Sequence, residues 1–149
     1  MRVLLSGYYG SGNVGDEALL AGLVAGLRAR GLGVAVLSAD PGATSRMHGV
    51  RAFHRLAGLG PALAWAGAVV SGGGGLLQDA TSARSLDYYL GVLRLARASG
   101  RRVAVYGQSL GPLGPAGRAR VARVPAGVPL AVRDEEALAL AGELGRAGA

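Results

Sequence analysis

A chain of 149 residues, half of them apolar, is long enough for one domain with a real core. It has no cysteine, which excludes disulfides, thiolate nucleophiles and cysteine-ligated zinc. All 16 basic residues are arginine, so Schiff-base chemistry and a P-loop lysine are excluded too. The net charge of +7 is scattered from Arg2 to Arg146 with no basic block beyond Arg101-Arg102. That pattern argues against nucleic acid and suits an acidic small molecule, a phosphorylated lipid carrier or an anionic membrane face.

The apolar run Val3-Leu4-Leu5 reads as a first strand, followed by the loop Gly7–Asp16, GYYGSGNVGD. A helix is expected from about Asp16 to Arg30, with Asp16 as its N-cap or in its first turn. Val34–Leu37 is a second strand, ending where Asp40-Pro41 opens a loop, and the two strands should pair in parallel by a right-handed crossover. Residues 42–55 read as irregular or short elements. They hold His48 and His54, six residues apart and without a carboxylate between them, which fits surface or structural histidines better than a metal pair.

The uncharged stretch Leu56–Gln78 is too often broken by glycine and proline to be a membrane helix. It divides into a helix, Leu59–Ala66, a strand, Ala68–Val70, and a second glycine turn, Gly72–Gly75. A helix from about Arg84 to Ser99 follows the polar Thr81-Ser82. A fourth strand, Val103–Tyr106, runs into a turn at Gly107–Pro112. Arg118–Val124 reads as a short helix, Pro129–Val132 as a fifth strand, and Asp134–Leu144 as a closing helix capped by Asp134 and stopped by Gly145. The alternation implies an α/β fold: an open, mostly parallel, Rossmann-like sheet in three layers, with helices on both faces.

Glycine-rich or polar turns thus follow the first, third and fourth strands, on the sheet edge where ligands of open α/β sheets bind. Gly10-Ser11-Gly12-Asn13-Val14-Gly15 satisfies G-x-G-x-x-G, and Asp40 stands where a ribose-binding acid would, but Gly7-Tyr8-Tyr9 lengthens the turn beyond a dinucleotide fingerprint. Asn13 and Asp16 can offer an amide and a carboxylate at the helix mouth. Four consecutive glycines suggest a ligand or another backbone lying against Gly73 and Gly74. Gln78, Asp79, Ser82 and Gln108 add polar groups on the same edge. Arg133 opens a helix, where a cation opposes the macrodipole; it either pairs with the acids that follow or binds a carboxylate or phosphate.

The segments GYYGSGNVGDEALL, VVSGGGGLLQDATSARSLDYYL, VYGQSLGPL and VRDEEAL resemble the N-terminal half of the polysaccharide pyruvyl transferases, most closely the CsaB type. The resemblance covers nearly the whole chain. It implies transfer of a pyruvyl group from phosphoenolpyruvate to a pair of sugar hydroxyls, giving a ketal on a cell-wall polysaccharide precursor. It also implies a GT-B-like pair of Rossmann-like domains with the site between them, a lipid-linked or polysaccharide acceptor and no metal or nucleotide cofactor. The short apolar run after Arg2, which reads as a strand and not as a signal peptide, points to the cytoplasm, where such an acceptor would be met at the inner face of the membrane.

On that resemblance Arg133 takes the phosphoenolpyruvate anion, and Asn13, Asp16, Gln78 and Asp79 take the sugar hydroxyls or proton transfers, with Gly12, Gly73, Gly74, Ser82 and Gln108 lining the substrate. Residues 1–149 correspond to the N-terminal, acceptor-side domain, with no counterpart of the second domain after Gly145. Such a half is expected to fold without turning over. A nucleotide-sugar glycosyltransferase half-domain and a non-catalytic binding module stand as alternatives, since the fold does not fix the donor.

Overall fold

The computed structural model describes residues 1–80, 82–124 and 127–144. The polar Thr81 and the helix stop assigned to Gly145 lie outside the described residues. Six strands form one sheet, all parallel, in the order β3-β2-β1-β4-β5-β6. That is the order of a doubly wound sheet whose winding reverses between β1 and β4.

The chain runs β1 (Arg2–Ser6), α1 (Val14–Ala29), β2 (Gly33–Ser38), α2 (Pro41–His48), β3 (Arg51–His54), α3 (Leu59–Trp65) and β4 (Ala68–Leu77). It continues as α4 (Ala83–Ala98), β5 (Arg102–Leu110), α5 (Pro115–Ala122), β6 (Leu130–Val132) and α6 (Glu135–Glu143). Alternation along β1 sends Val3 and Leu5 to the α1 side and Leu4 to the α4 side, so each face carries its own core. The α1 side gathers Tyr9, Leu20 and Val24, and the opposite side gathers Leu86, Leu90 and Leu93 of α4 with Ala137 and Ala141 of α6.

Two expectations are corrected. Residues 42–55 are not irregular: Asp40 caps α2 by accepting from the Ala43 N–H at 2.9 Å, Pro41 sits in its first turn, and Gly49 ends it at φ 62°. A sixth strand, β3, then pairs with β2 from Arg51 to His54. Proline fits a helix's first turn because its missing N–H has no partner there, so Pro41 starts a helix where a loop was expected. Neither glycine segment is a simple turn, because β4 continues through Gly72–Gly75 to Leu77 and β5 through Gly107 to Leu110. The two extensions pair with each other, Gly72 with Tyr106, Gly74 with Gln108 and Leu77 with Leu110, with a register shift after Gly74. Of the two places expected for Asp16 it takes the first turn, since α1 begins at Val14 and Asn13 caps it.

The first loop is fixed from below. The Tyr9 hydroxyl donates to the Gly72 carbonyl, and its ring fills the space beside Gly7 that any side chain there would need. Gly10 donates its N–H to Glu17 Oε1 at 2.7 Å, and Glu17 Oε2 meets His48 Nε2 at 2.7 Å. This pair is nearly buried, at 6% and 12% side-chain exposure for His48 and Glu17, so His48 serves the structure by tying α2 to the loop. At Gly10 (φ 72°) an added Cβ would press on Ser38 Oγ and lie 2.7 Å from the Asp40 nitrogen, whereas at Gly12 (φ 77°) it would meet open space. Gly10→Ala is therefore expected to cost ~3 kcal/mol and Gly12→Ala ~1 kcal/mol, from left-handed strain plus overpacking in the first case and strain alone in the second. Urea unfolding of the two variants checks this; equal losses would contradict the packing account.

Candidate functional site

The C-terminal ends of β1, β4, β5 and β6 share one edge, and the chemistry-bearing residues collect there. α1 is drawn down onto β4 because the glycines leave no side chains in its way. A Cβ on Gly72 would lie 2.8 Å from Leu23, one on Gly73 3.2 Å from Leu19, and one on Gly74 2.7 Å from Asp16 Oδ1. Packing by α1 thus explains three of the four glycines, with Gly75 alone facing open space. The consequence is that the Asp16 carboxylate is laid across the strand, next to the bulged end of the sheet.

Burial is the first cause that holds the Asp16 carboxyl above its ordinary range, neighbouring Glu17 adds to it, and Arg133 pulls the other way. The electrostatic reach of Arg133 to Asp16 links the mouth of α1 to the start of α6. Arg133 donates its backbone N–H to the Gln108 carbonyl at 3.2 Å, and its Nε donates to Ser109 Oγ at 2.6 Å. The Ser109 hydroxyl donates a hydrogen bond in turn to Asp134 Oδ2, and Arg133 Nε stands 3.7 Å from the same oxygen. Asp134 also caps α6, accepting from the Ala137 N–H at 2.8 Å. These bonds, Ser109 first, hold the Asp134 carboxyl below its ordinary range, so it remains an anion.

Both readings offered for Arg133 meet here. It contacts the acid that follows it, but through Nε and an intervening hydroxyl. Among the described residues its terminal guanidinium nitrogens make no hydrogen bond, and the side chain is half exposed. A cleft of about 960 Å³ opens beside it, bounded by Gly75, Gln78, Ser109, Leu113 and Leu140. The cleft's other arginine, Arg118, is already paired with Glu143 at 2.8 Å.

The remaining sequence candidates are placed less directly. Asn13 Oδ1 accepts from the N–H groups of Gly15 and Asp16, beside the exposed Gly12. Both oxygens of Asp79 lie on the Gly114 N–H, at 3.0 and 3.1 Å, holding the loop after β5. Ser82 stands at the N-cap of α4 without a side-chain capping bond. Gln108 is fully buried: its amide donates to Ser71 Oγ at 2.7 Å and its Oε1 has no partner among the described residues. Asp40, where a ribose-binding acid was considered, is occupied in capping α2. Sequence reasoning passed over Ser109 and Glu17, since a single polar residue carries no periodicity and their partners, Arg133 with Asp134 and Gly10 with His48, are distant in the chain. Among the described residues no cluster of three or more histidine, aspartate or glutamate side chains could hold a metal, and no helix is long and apolar enough to cross a membrane.

Fold and site together define a doubly wound α/β protein with a half-exposed arginine after β6, on the edge formed by the C-terminal ends of the strands. The sequence model of the polysaccharide pyruvyl transferase family matches residues 13–146, most of the chain, and the chain belongs to that family. No curated protein and no solved structure matches it. The family implies a transferase in polysaccharide biosynthesis, with a pyruvyl donor and a polysaccharide acceptor.

Because the Arg133 charge partly offsets the rise in the Asp16 pKa, Arg133→Gln will raise that pKa further above the ordinary carboxylate range. Carboxyl carbon NMR titration reads this directly, and an unmoved Asp16 would separate the two residues.

Proposed function

We propose that this domain forms the acceptor side of a two-domain, GT-B-like enzyme of the CsaB type. The enzyme moves the pyruvyl group of phosphoenolpyruvate onto two hydroxyls of a cell-wall polysaccharide precursor, a saccharide chain carried on a lipid at the inner face of the cell membrane. The observation that carries the reading is Arg133, whose guanidinium is oriented by Ser109 yet keeps its terminal nitrogens open to a cleft. A guanidinium presented in this way suits a carboxylate or phosphate.

The reaction adds a proton to the methylene carbon of the donor, which becomes a methyl group and leaves a cationic carbon bearing the carboxylate. Two sugar hydroxyls add to that carbon, the bond to phosphate breaks, and the two hydroxyl protons replace the one delivered to the methylene and the one that leaves with phosphate. Asp16 suits proton handling because partial burial and Glu17 raise its carboxyl toward the working pH. Arg133 neutralises the donor anion, and Asp134, kept ionised, holds Ser109 and hence Arg133 in place. Asn13, Gly12, Gln78 and Ser82 face the acceptor sugar, while Gly73 and Gly74 admit Asp16. Asp79 and Gln108 serve by bracing the loop after β5 and the β4–β5 edge. Arg133 lends this acceptor-side domain one contact to the donor anion across the cleft, and the domain by itself does not complete the transfer.

Calorimetric titration of the chain with phosphoenolpyruvate, a nucleotide sugar and NAD tests this. Phosphoenolpyruvate alone should bind, and Arg133→Ala should weaken it roughly tenfold or more, the loss expected for a charge-assisted contact. Binding of the nucleotide sugar without phosphoenolpyruvate would support a glycosyltransferase half-domain instead.

A further inference from the structure

The fold gathers arginines that look scattered in the sequence. In an all-parallel sheet the strand starts share one edge, and the helix ends that feed them lie beside it. Arg2, Arg51 and Arg102 are the first residues of β1, β3 and β5, while Arg28, Arg30 and Arg97 lie in the last turns or cap of α1 and α4. All six are exposed, and none is within 4.0 Å of a carboxylate among the described residues. Seven of the nine acids sit at the opposite edge, where Asp16 and Glu17 open α1, Asp40 caps α2, Asp79 follows β4, and Asp134, Glu135 and Glu136 start α6, while Asp87 lies within α4 and Glu143 ends α6. Helix macrodipoles account for Arg28, Arg30 and Arg97. They give no reason for arginine at three strand starts.

Apolar groups lie among these charges. Trp65, at the end of α3, packs under Arg2 with the guanidinium carbon 5.6 Å from the ring centre, and Leu95 in the last turns of α4 is 51% exposed. An apolar trough of about 630 Å³, lined by Leu19, Leu23 and Leu27 of α1 and by Ala104 and Tyr106 of β5, runs along α1 and ends at Arg30. Cationic side chains mixed with an indole and open aliphatic surface match an interface between anionic headgroups and acyl chains better than a phosphate backbone alone.

We propose that this arginine edge is a docking surface for an anionic lipid bilayer. The contact is made by the protein itself, goes beyond any tether through a lipid-linked acceptor, and does not depend on the pyruvyl-transfer reading. Since β4 is ten residues long, the candidate site then faces away from the headgroups at a distance of roughly 30 Å, at ~3.3 Å per residue. An acceptor would reach it as an extended glycan.

Sedimentation of the 149-residue chain with vesicles of phosphatidylcholine, alone or mixed with phosphatidylglycerol, tests the proposal. The chain should sediment with the mixed vesicles, stay in solution with the neutral ones, and be released by high salt. The triple substitution R30Q/R97Q/R102Q should weaken binding by about tenfold or more while melting like the parent by circular dichroism. R55Q/R84Q, on the opposite edge, should bind like the parent. Equal binding to neutral vesicles, parental binding by the triple variant, or an equal loss in R55Q/R84Q would overturn the proposal. Tighter binding to a duplex oligonucleotide than to the anionic vesicles at the same salt would overturn the choice of a bilayer.

Discussion

The close seating of α1 on the glycine strand β4 is the constraint on which the rest of the site depends. It is possible only because Gly72, Gly73 and Gly74 present bare backbone beneath Leu23, Leu19 and Asp16. Tyr9 adds a hydroxyl bond to Gly72 from the loop that precedes the helix, and burial raises its phenol so that it stays neutral. One contact surface therefore settles three things together: the shape of the first loop, the height of the helix mouth above the sheet, and the placement of a partly desolvated carboxylate near Arg133.

The second half of the site is built by a different device. Instead of turning at the glycines, β5 continues past Gly107 alongside β4, and this extra length carries Gln108 and Ser109 to the end of β6 and the start of α6. Ser109 then links Arg133 to Asp134, so the cation that opens α6 is balanced by the acid that caps the same helix. An arginine that opposes the macrodipole is tolerated because its charge is shared locally, and it keeps donors for a ligand.

Much of the architecture was legible because apolar runs and helix signals are local. Val34–Leu37, Leu59–Ala66 and Arg84–Ser99 each fall within about a residue of β2, α3 and α4. The glycine segments misled because permissive backbone reads as a turn, whereas their pairing across β4 and β5 is a long-range property. Arg51–His54 was missed since a four-residue strand rich in charge lacks a period that a single sequence can reveal. Arg133 was visible as an odd choice for a helix start, and Asp16 as a carboxylate at the mouth of a helix. Ser109, the group that orients Arg133, was not, because its importance exists only once α6 is packed beside β5.

On the proposed function the anion site lies at the β4–β6 end of the sheet and not at the first glycine loop. Amide chemical-shift mapping of the chain with phosphoenolpyruvate tests it most directly. The account predicts that Gly75, Ser109, Arg133 and Asp134 move while the amides of Gly10, Ser11 and Gly12 stay in place. Movement confined to Gly10–Gly12 and Asp40 would contradict it and restore a phosphate-binding role to the first loop.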